Sequence, residues 1–158
     1  MKLSTKGKYG LRAMIDLALH SEQEAVSISS ISARQGISES YLEQLVSRLK
    51  KAGLVKSLRG AQGGYQLARP SAGISVGDIL RALEGNLDAV ECSAFNDEGC
   101  EGADLCVAKY VWQRINESIA QTVDEMMLDQ LVEESRKAQQ NRASSLPAAT
   151  AADGCRKR

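Results

Sequence analysis

Three cysteines, Cys92, Cys100 and Cys106, stand at C-x7-C-x5-C spacing in a stretch that is acidic, glycine-bearing and without hydrophobic periodicity. Loop thiols that converge after folding bind iron–sulfur clusters or zinc as thiolates, or act as redox pairs. A second chemistry lies upstream. Ser40, Tyr41, Glu43, Gln44, Ser47, Arg48 and Lys51 fall on one side of an amphipathic helix and offer hydrogen bonds and positive charge to a ligand. Catalysis finds little support: there is no nucleotide-binding glycine motif, no HExxH and a single histidine, His20. The glycine-rich RGAQGG also lacks the Lys-Ser/Thr of a phosphate-cradling loop, so no enzyme is expected.

The elements that must position these groups follow from periodicity. Leu42, Leu45, Val46 and Leu49 recur at i, i+3, i+4, i+7, which turns the polar side of that helix outward. Ser38 is placed to cap its start and Gly53 to close it in the left-handed conformation. A preceding helix, Ser29 to Gln35 with Ile28 and Ile31 as core residues, ends at Gly36, and the pair makes a helix-turn-helix. Leu54–Leu58 and Tyr65–Ala68 read as strands around a glycine-rich loop, a hairpin wing with Arg59 at its tip. A long cation there can sense the width and potential of a minor groove.

Around this head, Ser4 or Thr5 caps a first helix whose Leu11, Met14, Ile15, Leu17 and Ala18 face the core. Its basic start, with Lys2, Lys6, Lys8 and Arg12, opposes the helix dipole and calls for an anion, which a phosphate would satisfy. His20 is placed to cap its end. Ser75 caps a helix over Val76–Glu84. A long helix from Val107 to about Val123 carries Ala108, Trp112, Ile115, Ile119, Val123 and Met126 as a continuous apolar seam. Its first turns can pack on their own domain, but the distal end needs a partner, and the same helix of a second chain would give a two-fold dimer suited to a palindromic operator. The helix breaks near Asp124 and resumes through Leu128, Leu131 and Val132. Residues 1–86 thus form the DNA-binding head, 87–106 the cysteine loop, 107–138 the dimerisation and terminal helices, and 139–158, with Cys155, a disordered tail.

Charge agrees with this division. Up to Pro70 there are eleven Lys and Arg against five Asp and Glu, 11 − 5 = +6, and the remainder balances it to a formal net charge of zero. A basic head suits a polyanion. The polar N-terminus and the absence of any apolar run near the ~18 residues of a membrane span predict a cytoplasmic protein, where thiols stay reduced.

The runs MKLSTKGKYGLRAMIDLALH, ISARQGISESYLEQLVSRLKKAGLVKSLRGAQGGYQLARP and ISVGDILRALEG, followed by the three cysteines, resemble the IscR/NsrR-type family of bacterial winged-helix regulators across about residues 1–138. The resemblance implies a homodimeric transcription regulator that binds double-stranded DNA under the control of an iron–sulfur cluster, of the [2Fe-2S] kind, and governs cluster-assembly genes. By that similarity Cys92, Cys100 and Cys106 are cluster ligands, Ser40, Tyr41, Glu43 and Gln44 sit on the base-reading helix, and Arg59 is on the minor-groove wing. Ser38, Arg48, Lys51, Thr5 and Lys6 complete the expected DNA-binding set.

The chain departs from the family in two places. Lys109 stands where IscR-type members have a ligand histidine, and Lys8 where nitric-oxide sensors have an acidic residue. The fourth ligand is unassigned among Glu91, Asp97, Glu98, Glu101, Asp104, Cys155 and an external thiol. The first cysteine gap is also longer than is usual in IscR-type members. A winged-helix regulator with a zinc or thiol-redox loop, or a nitric-oxide or cysteine-metabolism sensor of the same family, is the alternative.

Overall fold

The computed structural model describes residues 3–93 and 100–145. In chain order the elements are α1 (Thr5–His20), α2 (Ile28–Gln35), α3 (Glu39–Lys51), β1 (Val55–Leu58), β2 (Gly64–Leu67), α4 (Val76–Glu84), α5 (Ala108–Glu125) and α6 (Leu128–Ser145). The fold is mainly helical with a two-stranded antiparallel wing, β1 pairing β2 from Val55↔Leu67 to Leu58↔Gly64. The wing is not isolated: Tyr65 also exchanges two backbone hydrogen bonds with Val26, just ahead of α2. Among the described residues no helix is long and apolar enough to cross a membrane.

Serine hydroxyls start most of these helices by accepting from otherwise unpaired backbone N–H groups. Ser4 caps α1, Ser27 caps α2 and Ser38 caps α3. Because Ser27 takes that role, α2 begins at Ile28, one residue ahead of the expected Ser29. Ser75 and Asp78 form a reciprocal capping box on α4. Gly36 (φ 65°) and Gly53 (φ 76°) end α2 and α3 in the left-handed region. The apolar face of α3, Leu42, Leu45, Val46 and Leu49, is buried together with Met14, Leu17 and Ala18 of α1, Ile31 of α2 and Ile79 and Leu83 of α4.

The anion required at the basic start of α1 comes from within the chain. Glu84, the last residue of α4, accepts through one carboxylate oxygen from the Ser4 hydroxyl (2.6 Å), the Gly7 amide (2.9 Å) and the Ser4 amide (3.0 Å). An internal carboxylate thus fills the role for which the sequence suggests a phosphate. Close approach is possible because α1 presents Gly7 and Gly10 here: a Cβ on Gly7 would lie 2.6 Å from the Glu84 oxygen, and one on Gly10 would overlap the Leu83 side chain.

Beyond α4 the expected boundaries shift. α5 runs to Glu125, Met126 is extended, and α6 starts at Leu128. This break is stitched to the start of α4: the Val76 amide donates to the Met126 carbonyl and the Leu128 amide to the Ile74 carbonyl, each at 2.8 Å. Arg81 adds a two-pronged ion pair to Asp124, at 2.6 and 2.9 Å. Both partners are exposed, so the fork contributes at most about 1 kcal/mol and serves chiefly to fix geometry. Past the break, Leu128 and Val132 are buried in the head. Where the sequence predicts disorder from Gln139, α6 continues to Ser145; Gln, Arg and Ala favour helix without needing an apolar stripe. The rest of that tail, including Cys155, lies outside the described residues.

α5 reverses another expectation. Its last turns pack on the head through Val123, whereas its first turns leave Tyr110, Val111, Trp112 and Ile115 exposed.

The Glu84 cap has a pH signature. The Ser4 hydroxyl, reinforced by the Gly7 and Ser4 amides and by Lys6, holds this carboxyl below its ordinary value despite partial burial. A lowered folded value means that the stabilisation is complete above the unfolded value, about 4.3, and is lost as pH falls through the folded one. Glu84→Gln should therefore flatten the acid side of the stability profile, read by thermal melts from pH 6 down to pH 2. Superimposable acid limbs for the two proteins would show that no charged carboxylate caps α1.

Candidate nucleic-acid interface

α3 turns an uninterrupted polar surface outward. Ser38, Ser40, Glu43, Gln44, Arg48 and Lys51 are all exposed, as is Arg59 at the start of the wing loop. Arg48, Lys51 and Arg59 have no charged partner among the described residues, so their charges are uncommitted. Lys50 is committed, donating to the Ser57 hydroxyl at 2.7 Å and thereby tying the end of α3 to the wing. Thr5 and Lys6 are exposed on the first turn of α1, where the Gly7 amide is taken by Glu84 and the Lys6 amide by the Ser4 hydroxyl. Side chains, rather than that helix terminus, are what α1 offers to a ligand.

Tyr41 differs from its neighbours. Its ring is half-buried and meets Tyr9 edge-on, 6.1 Å between centroids at 88°, with the Arg12 guanidinium 5.4 Å from the centre of that same Tyr9 ring. It braces α3 against α1 while standing beside the polar face.

Beneath this surface lies a group that the motif pattern did not mark. Asp16, 1% exposed, accepts from Arg34 Nε and Nη2 (2.7–3.1 Å) and from the Gln35 amide (2.9 Å). The same contact holds the Arg34 guanidinium above its ordinary range. Nδ1 of His20 donates to the Asp16 carbonyl at 2.8 Å in the tautomer protonated there, which is the end-capping role expected of it. Arg12 also donates to the Gln35 carbonyl at 2.7 Å. The one available signal was a carboxylate inside the apolar stripe of α1, which in a folded core demands a cation.

Cys92 and Cys106 are half-buried and Cys100 is exposed, all as free thiols. Among the described residues no three Cys, His, Asp or Glu side chains gather in a way that would hold a metal ion. Glu91, Glu101 and Asp104 are exposed, while Asp97 and Glu98 lie outside the described residues. By donor type the three thiols suit a thiolate-bound iron–sulfur group, which takes cysteine sulfur as its protein ligand. Lys109 is engaged elsewhere: its ammonium donates to the Ala103 carbonyl at 2.8 Å.

A helix-turn-helix with its second helix uncovered, flanked by a wing whose loop carries Arg59, defines a winged-helix DNA-binding protein. The sequence matches the profile of the Rrf2 family, described as iron-dependent transcriptional regulators, over residues 3–134, and the chain belongs to that family. It is 45% identical over 132 residues to the HTH-type transcriptional regulator IscR of Yersinia enterocolitica, covering 84% of this chain and 79% of that one. Among solved structures it resembles T. potens IscR, with a TM-score of 0.70, 47% identity and coverage of 88% of this chain and 91% of that one. It likewise resembles CymR, the global cysteine regulator of B. subtilis, with a TM-score of 0.72, 42% identity and coverage of 85% and 98%. The protein is an IscR-type transcriptional regulator, a role that is not enzymatic.

Proposed function

We propose that this regulator acts as a homodimer on a palindromic operator and that its affinity or choice of operator responds to an iron–sulfur cluster, of the [2Fe-2S] type, on Cys92, Cys100 and Cys106. The observation that carries the reading is the pairing of a free basic helix-and-wing surface with three unpaired thiols on the segment leading into an uncovered apolar helix. Val111, Trp112 and Ile115 on α5 form the surface that a second copy would cover. Two heads so joined present two copies of α3 to successive major grooves. When bound, the cluster supplies iron–thiolate bonds that oxidants or iron shortage can break. Its fourth ligand is unassigned.

On DNA, Ser40 and Gln44 offer groups for base edges, and Tyr41 supports them from its seat on Tyr9. Arg48, Lys51, Lys6 and the hydroxyls of Ser38 and Thr5 meet phosphates, while Arg59 enters the minor groove. Glu43 limits the choice, because a carboxylate accepts from cytosine N4 but repels phosphate. The genes governed are those of iron–sulfur cluster assembly. One observation favours a second reading, a cysteine-metabolism regulator with a zinc or thiol-redox loop: Lys109, at the position of the IscR-type histidine, bonds the Ala103 carbonyl, and the fold is equally close to CymR. Metal analysis and visible absorbance of anaerobically purified protein separate the two.

Three outcomes are expected. Cys106→Ala should abolish visible cluster absorbance and change operator affinity by roughly tenfold, in the usual range of coupling free energies; equal binding to every operator with and without iron would refute cluster control. Arg48→Ala or Arg59→Ala should weaken duplex binding and lower the slope of log K against log salt by about one. An unaltered slope removes that residue from the interface. Glu43→Ala should broaden the sequences recovered from a randomised duplex pool, whereas an identical pool would deny Glu43 a selective role.

A further inference from the structure

Residues 86–92 and 100–106 form no helix or strand, so their backbone polar groups need partners from elsewhere. At its beginning, Leu87 is buried with Val76 and Leu80 of α4. Immediately after, the Asn116 side chain of α5 acts as a substitute peptide group. Its oxygen accepts from the Ala89 amide (3.0 Å) and the Val90 amide (3.3 Å), and its nitrogen donates to the Val90 carbonyl (2.9 Å). Two residues later comes Cys92. At the other end, Lys109 donates to the Ala103 carbonyl, three residues before Cys106. Lys109 and Asn116 are about two helical turns apart and therefore share one face of α5. Both are half-buried, and seven residues after Asn116 the same face carries Val123, which packs on α4.

We infer that Asn116 and Lys109 are positioning residues, a two-point clasp that holds Cys92 and Cys106 at set places against α5 and carries any rearrangement of the cysteine segment into that helix. The assignment of Lys109 accounts for a cation at a place where a ligand would be expected: it holds the loop instead of coordinating. Asn116 can make all three bonds only in one orientation, oxygen toward the two amides and nitrogen toward the carbonyl, so it reports the position of residues 89–90 rather than merely touching them. Neither residue needs to contact the metal. The inference rests on the cluster reading for its regulatory half and on the hydrogen bonds alone for its positioning half.

The test uses the full chain and two readouts. In the apoprotein, iodoacetamide alkylation of each thiol is followed by mass spectrometry, with exposed Cys100 as the internal reference. Asn116→Ala should speed alkylation of Cys92 by roughly fivefold, the scale of one lost hydrogen bond of ordinary strength, and leave Cys106 unchanged. Lys109→Met should do the reverse. Such a crossed pattern cannot arise from general loosening, and Asn116→Asp, which keeps the shape but loses the donor, guards against a misfolded alanine variant. In the second readout, operator affinity is compared for iron-loaded and iron-free protein. Asn116→Ala should shrink the ratio seen in the wild type toward one. Unchanged Cys92 and Cys106 rates in the variants overturn the clasp, and so does an undiminished affinity ratio. A wild-type chain with no iron-dependent affinity overturns the cluster reading instead, and the alkylation pattern then still decides the positioning.

Discussion

Everything that α3 presents depends on one buried carboxylate. Asp16 sits at 1% exposure near the end of α1, and removing its charge from water would cost several kcal/mol if nothing compensated. Compensation comes from Arg34 and Gln35, the last two residues of α2, through short charge-assisted hydrogen bonds. The next residue is Gly36, where the chain turns into α3. Any rotation of α2 that re-aimed α3 would strand that charge, so the angle of the reading helix is locked by an electrostatic penalty as well as by packing.

The same logic of matched polar groups recurs at the edges of the head. Glu84 closes α1 from α4, Lys50 ties α3 to the wing, and Arg81 and Asp124 join α4 to the end of α5. Each lies beside an apolar contact that brings the backbones together, and each then sets the residual degree of freedom. The division of labour is physical: burial is non-directional and supplies cohesion, while hydrogen bonds need alignment and supply orientation.

What could be read from the sequence, and what could not, follows from that division. The caps, the α3 stripe and the whole of α4 are local patterns within a dozen residues, and they were legible almost to the residue. The Asp16–Arg34 and Glu84–Ser4 pairs join residues 18 and 80 positions apart and carry no local signature. The seam on α5 was visible, but which end the domain would cover was not, because that depends on where Val123 meets α4. Helicity past Gln139 carries no apolar signature, because apolar spacing marks burial, not helix formation. The thiols of the cysteine segment were plain as residues, but no periodicity constrains an irregular loop.

The junction around Met126 has a mechanical consequence. α5 has 18 residues and spans about 27 Å at 1.5 Å per residue; it packs on the head at its final turns, while Asn116 and Lys109 bond only to the cysteine segment. Gly77 leaves room there for the Asp124 carboxylate, which any side chain would displace. The helix is thus a cantilever with a narrow root, in which a tilt of about 5° at the base sweeps the free tip through roughly 2 Å. By the same leverage run backwards, a modest push at the tip arrives at the head as a turning moment.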